Sequence, residues 1–225
     1  MPLSSVRQKR ADVRAFRRAL DHYLEQADDR LLNGLDHRPQ APATSDWIWR
    51  PQIFRSRLER RGFAGVAGPW RFDDEVALFH DCPDAMLGAR QVFNAPGSSQ
   101  ALFGLRIETF QFAGSYLSLS FALPQEAATS MSHRHLVVIG GKYDALRPGG
   151  LYARLNIRNG PNLAQLTQPM TRTGAIIAAT FDLGQTPMNE KRIEKAWVDI
   201  LFENASFNQY DLGDLTIHRR PRADI

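Results

Sequence analysis

The chain has 225 residues, of which 43% are hydrophobic and 10% aromatic, enough for one large folded domain or one domain with a small appendage. Its apolar runs are too short to span a bilayer and its first residues contain no secretory signal, so the sequence predicts a cytoplasmic protein without a transmembrane segment. The single cysteine, Cys82, excludes an intramolecular disulfide and a zinc site built from cysteines.

Basic charge is concentrated at the start of the chain. Residues 1–61 contain 13 Lys and Arg against 8 acidic residues, whereas residues 62–225 contain 15 against 16. Most of the basic residues are Arg, which suits phosphate recognition; codon bias in a GC-rich genome is the alternative explanation. We therefore expect nucleic acid to be a less favoured partner than a protein or a polar small molecule.

An amphipathic helix is predicted from Ser5 to Asn33, because apolar residues recur there at steps of three and four. Its opposite face begins with Arg7, Arg10, Arg14 and Arg17 and ends with acidic residues, an order that opposes the helix dipole. These four arginines are candidates for binding a partner protein, a second copy of the chain or an anionic polymer; a simply solvated face is the alternative. With the proline-rich linker that follows, the helix forms a predicted segment 1–46.

A Trp- and Arg-rich connecting segment is predicted for residues 47–67, and a β-sandwich domain for residues 68–225. Ten short apolar or alternating runs, separated by Gly, Pro, Asn and Asp, indicate strands. They are Glu75–His80, Gly88–Asn94, Leu102–Phe112, Tyr116–Leu123, His135–Gly140, Leu151–Arg158, Leu163–Thr167, Ala175–Leu183, Ala196–Glu203 and Asp214–Arg219. The predicted fold class is mainly all-β, an antiparallel sandwich or jelly roll preceded by the amphipathic helix.

Alternation is clearest in the run GGLYARLNIRNG, where Leu, Ala, Leu and Ile occupy one register and polar side chains the other. If neighbouring strands share a sheet, their polar registers line one surface. The candidate ligand-binding residues are Tyr152, Arg154, Asn156, Arg158, Arg106, Glu108, Trp197 and Asp199. Aromatic rings beside planar polar groups suit a glycan or another polar ligand. The alternatives are an ordinary solvated sheet face and one covered by the helix.

Two histidines, His133 and His135, lie two residues apart in SHRHLVV and would share a face of a strand. The pair resembles the histidine pair of the cupins, which implies a metal-dependent enzyme. The acidic ligand and third histidine of that family have no counterpart here, so the sequence predicts neither a metal nor another cofactor. A cupin-like enzyme is the least favoured alternative.

Two further resemblances concern longer stretches. The run AWVDILFENASFNQYDLGDLTIHRR resembles the last strands of galactose-binding-like jelly rolls and carbohydrate-binding modules, which implies a glycan-binding fold. The succession DWIWRP, FHDCP, ARQVFN and IHRRPR resembles an uncharacterised family of alphaproteobacterial proteins, which implies no activity. The sequence therefore favours a non-catalytic binding protein over a structural or assembly protein that acts through its basic helix.

Overall fold

The structure, a computed structural model, describes residues 2–33, 39–65, 68–95 and 101–222. The chain divides into two compact units, residues 1–36 and residues 37–225. The first unit contains the helix α1, Leu3–Asn33. It begins before the predicted Ser5 because the carbonyl of Pro2 already accepts a bond from the Ser5 N–H, at 3.0 Å. Within the described ranges, no helix is both long enough and apolar enough to cross a membrane.

The second unit is built almost entirely from strands. In chain order its elements are β1 (Trp47–Trp49), α2 (Gln52–Arg55), β2 (Gly62–Ala64), β3 (Trp70–Arg71), β4 (Val76–His80), β5 (Met86–Phe93), β6 (Phe103–Gln111), β7 (Leu117–Ala122), α3 (Gln125–Thr129), β8 (His135–Ala145), β9 (Leu151–Asn159), β10 (Asn162–Pro169), β11 (Thr171–Thr173), β12 (Ile176–Asp182), β13 (Ile193–Phe202) and β14 (Asn208–Pro221). Each of the ten predicted strands overlaps an observed one. The strands β1, β2, β3 and β11 were not predicted, because two or three residues are too few to show alternation.

The strands form two antiparallel sheets, which confirms the predicted β-sandwich. The larger sheet has the order β11-β12-β8-β14-β6-β5-β2, with β1 paired to the end of β14. The smaller sheet has the order β10-β9-β13-β7-β4-β3. Aromatic rings join the two layers: the centroids of Phe202 in β13 and Tyr210 in β14 are 4.7 Å apart.

The core contains the apolar register of each strand. In β9, Leu151, Ala153, Leu155 and Ile157 are all buried, as the alternation predicted. The turn after β9 is made by Gly160 and Pro161, since Asn159 and Asn162 pair as the last and first strand residues. Gly160 has a φ of +62°, a conformation that glycine adopts without steric cost.

Within the predicted connecting segment 47–67, the described residues 47–65 contribute two strands and a short helix to the sandwich itself. β1 pairs with β14 and β2 pairs with β5, so both extend the larger sheet. Between them α2 places Phe54 in the core, 6.2 Å from the ring of Phe121 in the smaller sheet. Burial of this aromatic ring fixes the segment between the two layers.

Candidate ligand-binding surfaces

The outer face of the smaller sheet contains six of the eight predicted ligand-binding residues. Tyr152, Arg154, Asn156 and Arg158 occupy the register of β9 that points away from the core. On the adjacent strand β13, Asp199 pairs with Arg154 and Trp197 pairs with Asn156. The register therefore brings Arg154, Asn156, Trp197 and Asp199 into one group.

A hydrogen-bonded network joins the polar members of this group. Arg154 Nε donates to Asp199 Oδ2 at 3.3 Å, and Asn156 Nδ2 donates to the same oxygen at 2.9 Å. Gln165 of β10 donates to Asn156 Oδ1 at 2.7 Å. Asn156 is 0% exposed and Asp199 is 8% exposed, so neighbouring side chains cover both. These two residues hold Arg154 in place and offer little surface to a ligand.

The accessible part of this surface is aromatic and basic. Tyr152 and Trp197 are half-buried, and Arg158 is exposed. The ammonium of Lys195 lies 5.5 Å from the centre of the Trp197 ring, a cation–π contact. Tyr152 lies four residues before Asn156 on β9, about 13 Å away at the usual rise of a strand. The outer face is thus a nearly continuous layer of bonded side chains with one aromatic residue towards each end.

Arg106 and Glu108 do not join this surface, which corrects the expectation of a single ligand face. Both lie on β6, in the larger sheet. Arg106 Nε and Nη2 donate to Asp211 of β14 at 2.6 and 3.1 Å, and Glu108 accepts a bond from Arg90 of β5 at 2.5 Å. Alternation tells which side chains share a face of one strand but not which strands share a sheet, so the sequence could not separate the two groups.

A cleft of about 550 Å³ opens around Arg106 on the larger sheet. Its volume falls within the range of about 300–1,000 Å³ that is typical of small-molecule sites. The side chains that give it chemical character are Phe93, Asn94, Arg106, Lys142, Asp144 and Asp211. The ring of Phe93 is 53% exposed and packs edge-on against Phe103, with centroids 5.4 Å apart. The cleft therefore combines an exposed aromatic ring with charged groups.

Glycines and a β-bulge shape the floor of the cleft. The register of β14 shifts between Leu212 and Asp214, which places Gly213 at the bulge. Asn94 Nδ2 donates to the Gly213 carbonyl at 2.8 Å and to the Ala101 carbonyl at 2.9 Å. A Cβ on Gly104 would lie 2.9 Å from the Leu212 carbonyl oxygen, so this position of β6 requires glycine. The glycines leave room above the backbone of the floor, and the two hydrogen bonds from Asn94 hold that backbone in place.

The charges at the cleft are balanced. Arg106 and Lys142 contribute two positive charges, and Asp144 and Asp211 contribute two negative ones. The hydrogen bond to Asp211 raises the pKa of Arg106, which keeps the guanidinium charged. Asp144 pairs with Arg172 at 3.0 Å, and Asp211 also accepts from Gln209 at 2.7 Å. Such a site supplies paired donors and acceptors with little net charge.

The sequence missed Phe93, Asn94, Lys142, Asp144 and Asp211 as candidate residues. Asp211 stands in a stretch that has no clear two-residue rhythm, because the bulge at Gly213 interrupts it. The available signal was the set of glycines inside predicted strands, since an interior glycine marks a bulge or a close backbone approach. Gly104 is such a position, inside the predicted strand Leu102–Phe112, whereas Gly213 directly precedes the predicted strand Asp214–Arg219.

The two histidines considered as metal ligands have separate partners. His133 lies in a turn before β8, so it does not share a strand face with His135 as the spacing predicted. Its Nδ1 lies 2.7 Å from Glu190 Oε1 and its Nε2 lies 2.9 Å from the Thr186 carbonyl. His135 Nδ1 accepts the Ser132 N–H at 3.0 Å, and burial lowers its pKa. Among the described residues, no group of three or more His, Cys, Asp or Glu side chains is placed to hold a metal ion.

The four arginines predicted to bind a partner, Arg7, Arg10, Arg14 and Arg17, are exposed on α1. Arg17 Nε lies 3.6 Å from Asp21 Oδ2, one turn further along the helix. Such an exposed pair contributes little stability, so it does not fix the position of the arginine. Their role as a binding surface stays a prediction.

The fold defines an antiparallel two-sheet β-sandwich protein with an N-terminal helix. The whole chain, residues 1–225, matches the sequence profile of a family of unknown function, DUF6478. The chain belongs to that family, in agreement with the resemblance to an uncharacterised family. Among curated proteins, none matches it.

Similar solved structures include carbohydrate-binding modules, in agreement with the resemblance of the C-terminal run to such modules. One is the CBM22-1 xylan-binding domain of Paenibacillus barcinonensis Xyn10C, with 12% identity, a TM-score of 0.42 and coverage of 81% of this chain and 100% of that one. Another is a family 11 carbohydrate-binding module from Clostridium thermocellum in complex with a mixed-linked tetrasaccharide, with 10% identity, a TM-score of 0.41 and coverage of 68% and 96%.

A third similar structure is the enzymatically active domain of tailspike protein 4 of bacteriophage CBA120, with 5% identity, a TM-score of 0.43 and coverage of 66% of this chain. The chain spans 20% of the length of that tailspike structure. These likenesses assign no residue and no ligand to the present chain.

Proposed function

We propose that the chain is a binding protein that takes a neutral polyhydroxylated ligand, of the glycan class, in the cleft of the larger sheet. The observation that carries the proposal is the exposed Phe93 ring beside the Arg106–Asp211 pair, within a cleft of about 550 Å³. The cytoplasmic location predicted from the sequence is part of this proposal.

The arrangement of the cleft supports this ligand class. Sugar rings present apolar C–H faces that pack on aromatic rings, and Phe93 offers such a ring. Neighbouring hydroxyl groups both donate and accept hydrogen bonds. The planar Arg106–Asp211 pair offers donors and acceptors side by side, and Asp144 and Lys142 add one group of each charge. The balanced charge favours a neutral ligand over a strongly anionic one.

The smaller sheet offers the competing site for the same ligand class. Tyr152, Trp197 and Arg154 are partly accessible there. Asn156 and Asp199 are covered and engaged with their neighbours, so this face is flatter and has fewer groups available than the cleft. We therefore favour the cleft, and the experiment below separates the two.

The test is a glycan array, followed by calorimetric titration of the best-bound glycan with matched variants of the full chain. Phe93→Ala removes the ring in the cleft, and Phe110→Ala removes a comparably exposed ring, 59% against 53%, on β6 outside it. We expect Phe93→Ala to weaken binding at least tenfold, and Phe110→Ala to change it less than twofold.

Two outcomes contradict the proposal. Failure to bind any glycan on the array removes the ligand class. Binding that is lost in Tyr152→Ala or Arg154→Ala but unchanged in Phe93→Ala assigns the ligand to the smaller sheet and removes the cleft as its site.

A further inference from the structure

The helix α1 exposes a row of large apolar side chains. Each of them has between 46% and 76% of its surface exposed: Leu3, Val6, Val13, Phe16, Leu20, Tyr23 and Leu24. Val6, Val13 and Leu20 are spaced by seven residues, and so are Phe16 and Tyr23 in the neighbouring row. Apolar rows with a seven-residue repeat are typical of helices that pack lengthwise against another helix.

The charge of α1 is divided between its two halves. Residues 3–20 contain six basic residues and one acidic residue, a net charge of +5. Residues 21–33 contain four acidic residues and one basic residue, a net charge of −3. A helix is stabilised by acidic residues near its N-terminus and basic residues near its C-terminus, so this order is unfavourable for the helix on its own. The order opposes the intrinsic preference of an isolated helix.

We propose that α1 is a self-association surface, which pairs in antiparallel orientation with α1 of a second copy of this chain. In that orientation the basic half of each helix lies beside the acidic half of the other, at both ends of the pair. When residue 17 of each helix lies opposite residue 18 of the other, positions 7, 10 and 14 lie opposite positions 28, 25 and 21. A parallel pair would instead place basic halves together and acidic halves together.

The geometry suits a pair of this kind. A helix of 31 residues is about 46 Å long at the usual rise per residue, long enough for several layers of apolar contacts. Pairing covers the exposed apolar row and matches opposite charges along the edges of the contact, where charged side chains determine orientation and partner. Pairing also places the acidic groups of one helix beside the basic first half of the other. These contacts compensate for the unfavourable position of basic residues near the helix N-terminus.

The divided charge distinguishes a second copy from an anionic partner. Helices that lie on anionic membranes carry basic residues along the whole polar face, and a polybasic segment binds nucleic acid through its net positive charge. The second half of α1, with its net charge of −3, would be repelled by either surface. A second α1 attracts both halves.

The test measures the oligomeric state of the full chain by sedimentation velocity over a range of concentrations. We expect a concentration-dependent dimer. Arg10→Glu/Arg14→Glu makes the first half less basic, and Asp21→Arg/Glu25→Arg makes the second half less acidic. Each variant alone should dissociate at least tenfold more readily, whereas an equimolar mixture of the two should restore dimers. Arg158→Glu/Lys191→Glu, a charge reversal at exposed positions of the sandwich, is the matched control and should leave dimerisation unchanged.

Cysteine cross-linking determines the orientation. In a Cys82→Ala background, Arg17→Cys lies near the centre of the antiparallel pair and should form a disulfide with its own copy. Two copies of Arg7→Cys would be separated by 21 positions, about 31 Å along the helices, and should not cross-link. Near-ultraviolet circular dichroism of each variant confirms that the sandwich is folded.

Three results would overturn the proposal. One is a monomer at every concentration. Another is efficient cross-linking of Arg7→Cys with itself, which indicates a parallel pair. The third is a monomer that binds vesicles of anionic phospholipid, which would show that the helix serves a membrane surface. Loss of glycan binding leaves this proposal intact, since the two rest on different parts of the chain.

Discussion

The ion pair between Arg50 and Asp214 links the segment after β1 to the bulge of β14. Arg50 Nε and Nη2 donate to the two Asp214 oxygens, both at 2.8 Å. The Arg50 side chain is 1% exposed and that of Asp214 is 14% exposed. We predict that Arg50→Met lowers the free energy of unfolding by about 3–5 kcal/mol at pH 7, because it leaves a buried carboxylate without its main partner.

The loss should depend on pH. Burial raises the pKa of Asp214, and the bonds from Arg50 oppose that rise. Removing Arg50 therefore raises the pKa further. A carboxyl whose pKa is higher in the folded than in the unfolded state binds its proton more tightly when folded, so lower pH favours the folded state. The deficit of Arg50→Met should be largest at neutral pH and should shrink as the pH falls towards 4.

Urea unfolding followed by tryptophan fluorescence measures both effects. Arg90→Met is the matched control on the same sheet, since the Arg90–Glu108 pair is 51% and 28% exposed and should contribute less than about 1 kcal/mol. The double variant Arg50→Met/Asp214→Leu should be more stable than Arg50→Met alone, because it removes the stranded charge as well. An Arg50→Met deficit below about 1 kcal/mol at pH 7, or one that grows on acidification, would refute the reasoning.

Two further stability predictions follow from the backbone and from the histidines. Gly141→Ala should lower the free energy of unfolding by about 2 kcal/mol or more, because its Cβ would overlap the Asp214 carbonyl oxygen. Gly140→Ala, whose Cβ would have its nearest atom 3.9 Å away, should change the free energy of unfolding by less than about 0.5 kcal/mol. Equal costs of the two variants in urea unfolding would contradict this explanation. Burial lowers the pKa of His135 and His218 below 6.5, so both bind protons more readily when unfolded. The free energy of unfolding should then fall as the pH drops below about 6.5. The double variant His135→Gln/His218→Gln should make the free energy of unfolding less dependent on pH in this range. An unchanged slope in that variant would exclude the two histidines as the cause of the pH dependence.

Alternation was sufficient to predict ten of the fourteen described strands and the two faces of β9. In β9 the residues from Leu151 to Arg158 alternate without interruption, and the structure buries the apolar register. The alternation, however, shows only which side chains share a face within a single strand. It could not reveal that β6, with Arg106, pairs with β14 and β5 in the larger sheet while β9 pairs with β13 in the smaller one.

The cleft was beyond prediction for a related reason. Its floor depends on the register shift beside Gly213, and a shift of one residue in β14 changes which side chains face outward. Asn94 and Gly213 are 119 residues apart in sequence, so no local pattern brings them together. Interior glycines were the available signal, and they indicate a close approach without identifying its partner.

The segment 47–67 connects these features. β1 pairs with the last part of β14, and Arg50 then reaches back to Asp214, which directly follows Gly213 at the bulge. The segment thus holds β14 both by backbone pairing and by a buried ion pair, close to the floor of the cleft. The buried charge of Arg50 neutralises Asp214, and the charges that line the cleft are those of Arg106, Lys142, Asp144 and Asp211. The bulge that shapes the floor of the cleft is therefore stabilised by a buried ion pair on the residue next to it, Asp214.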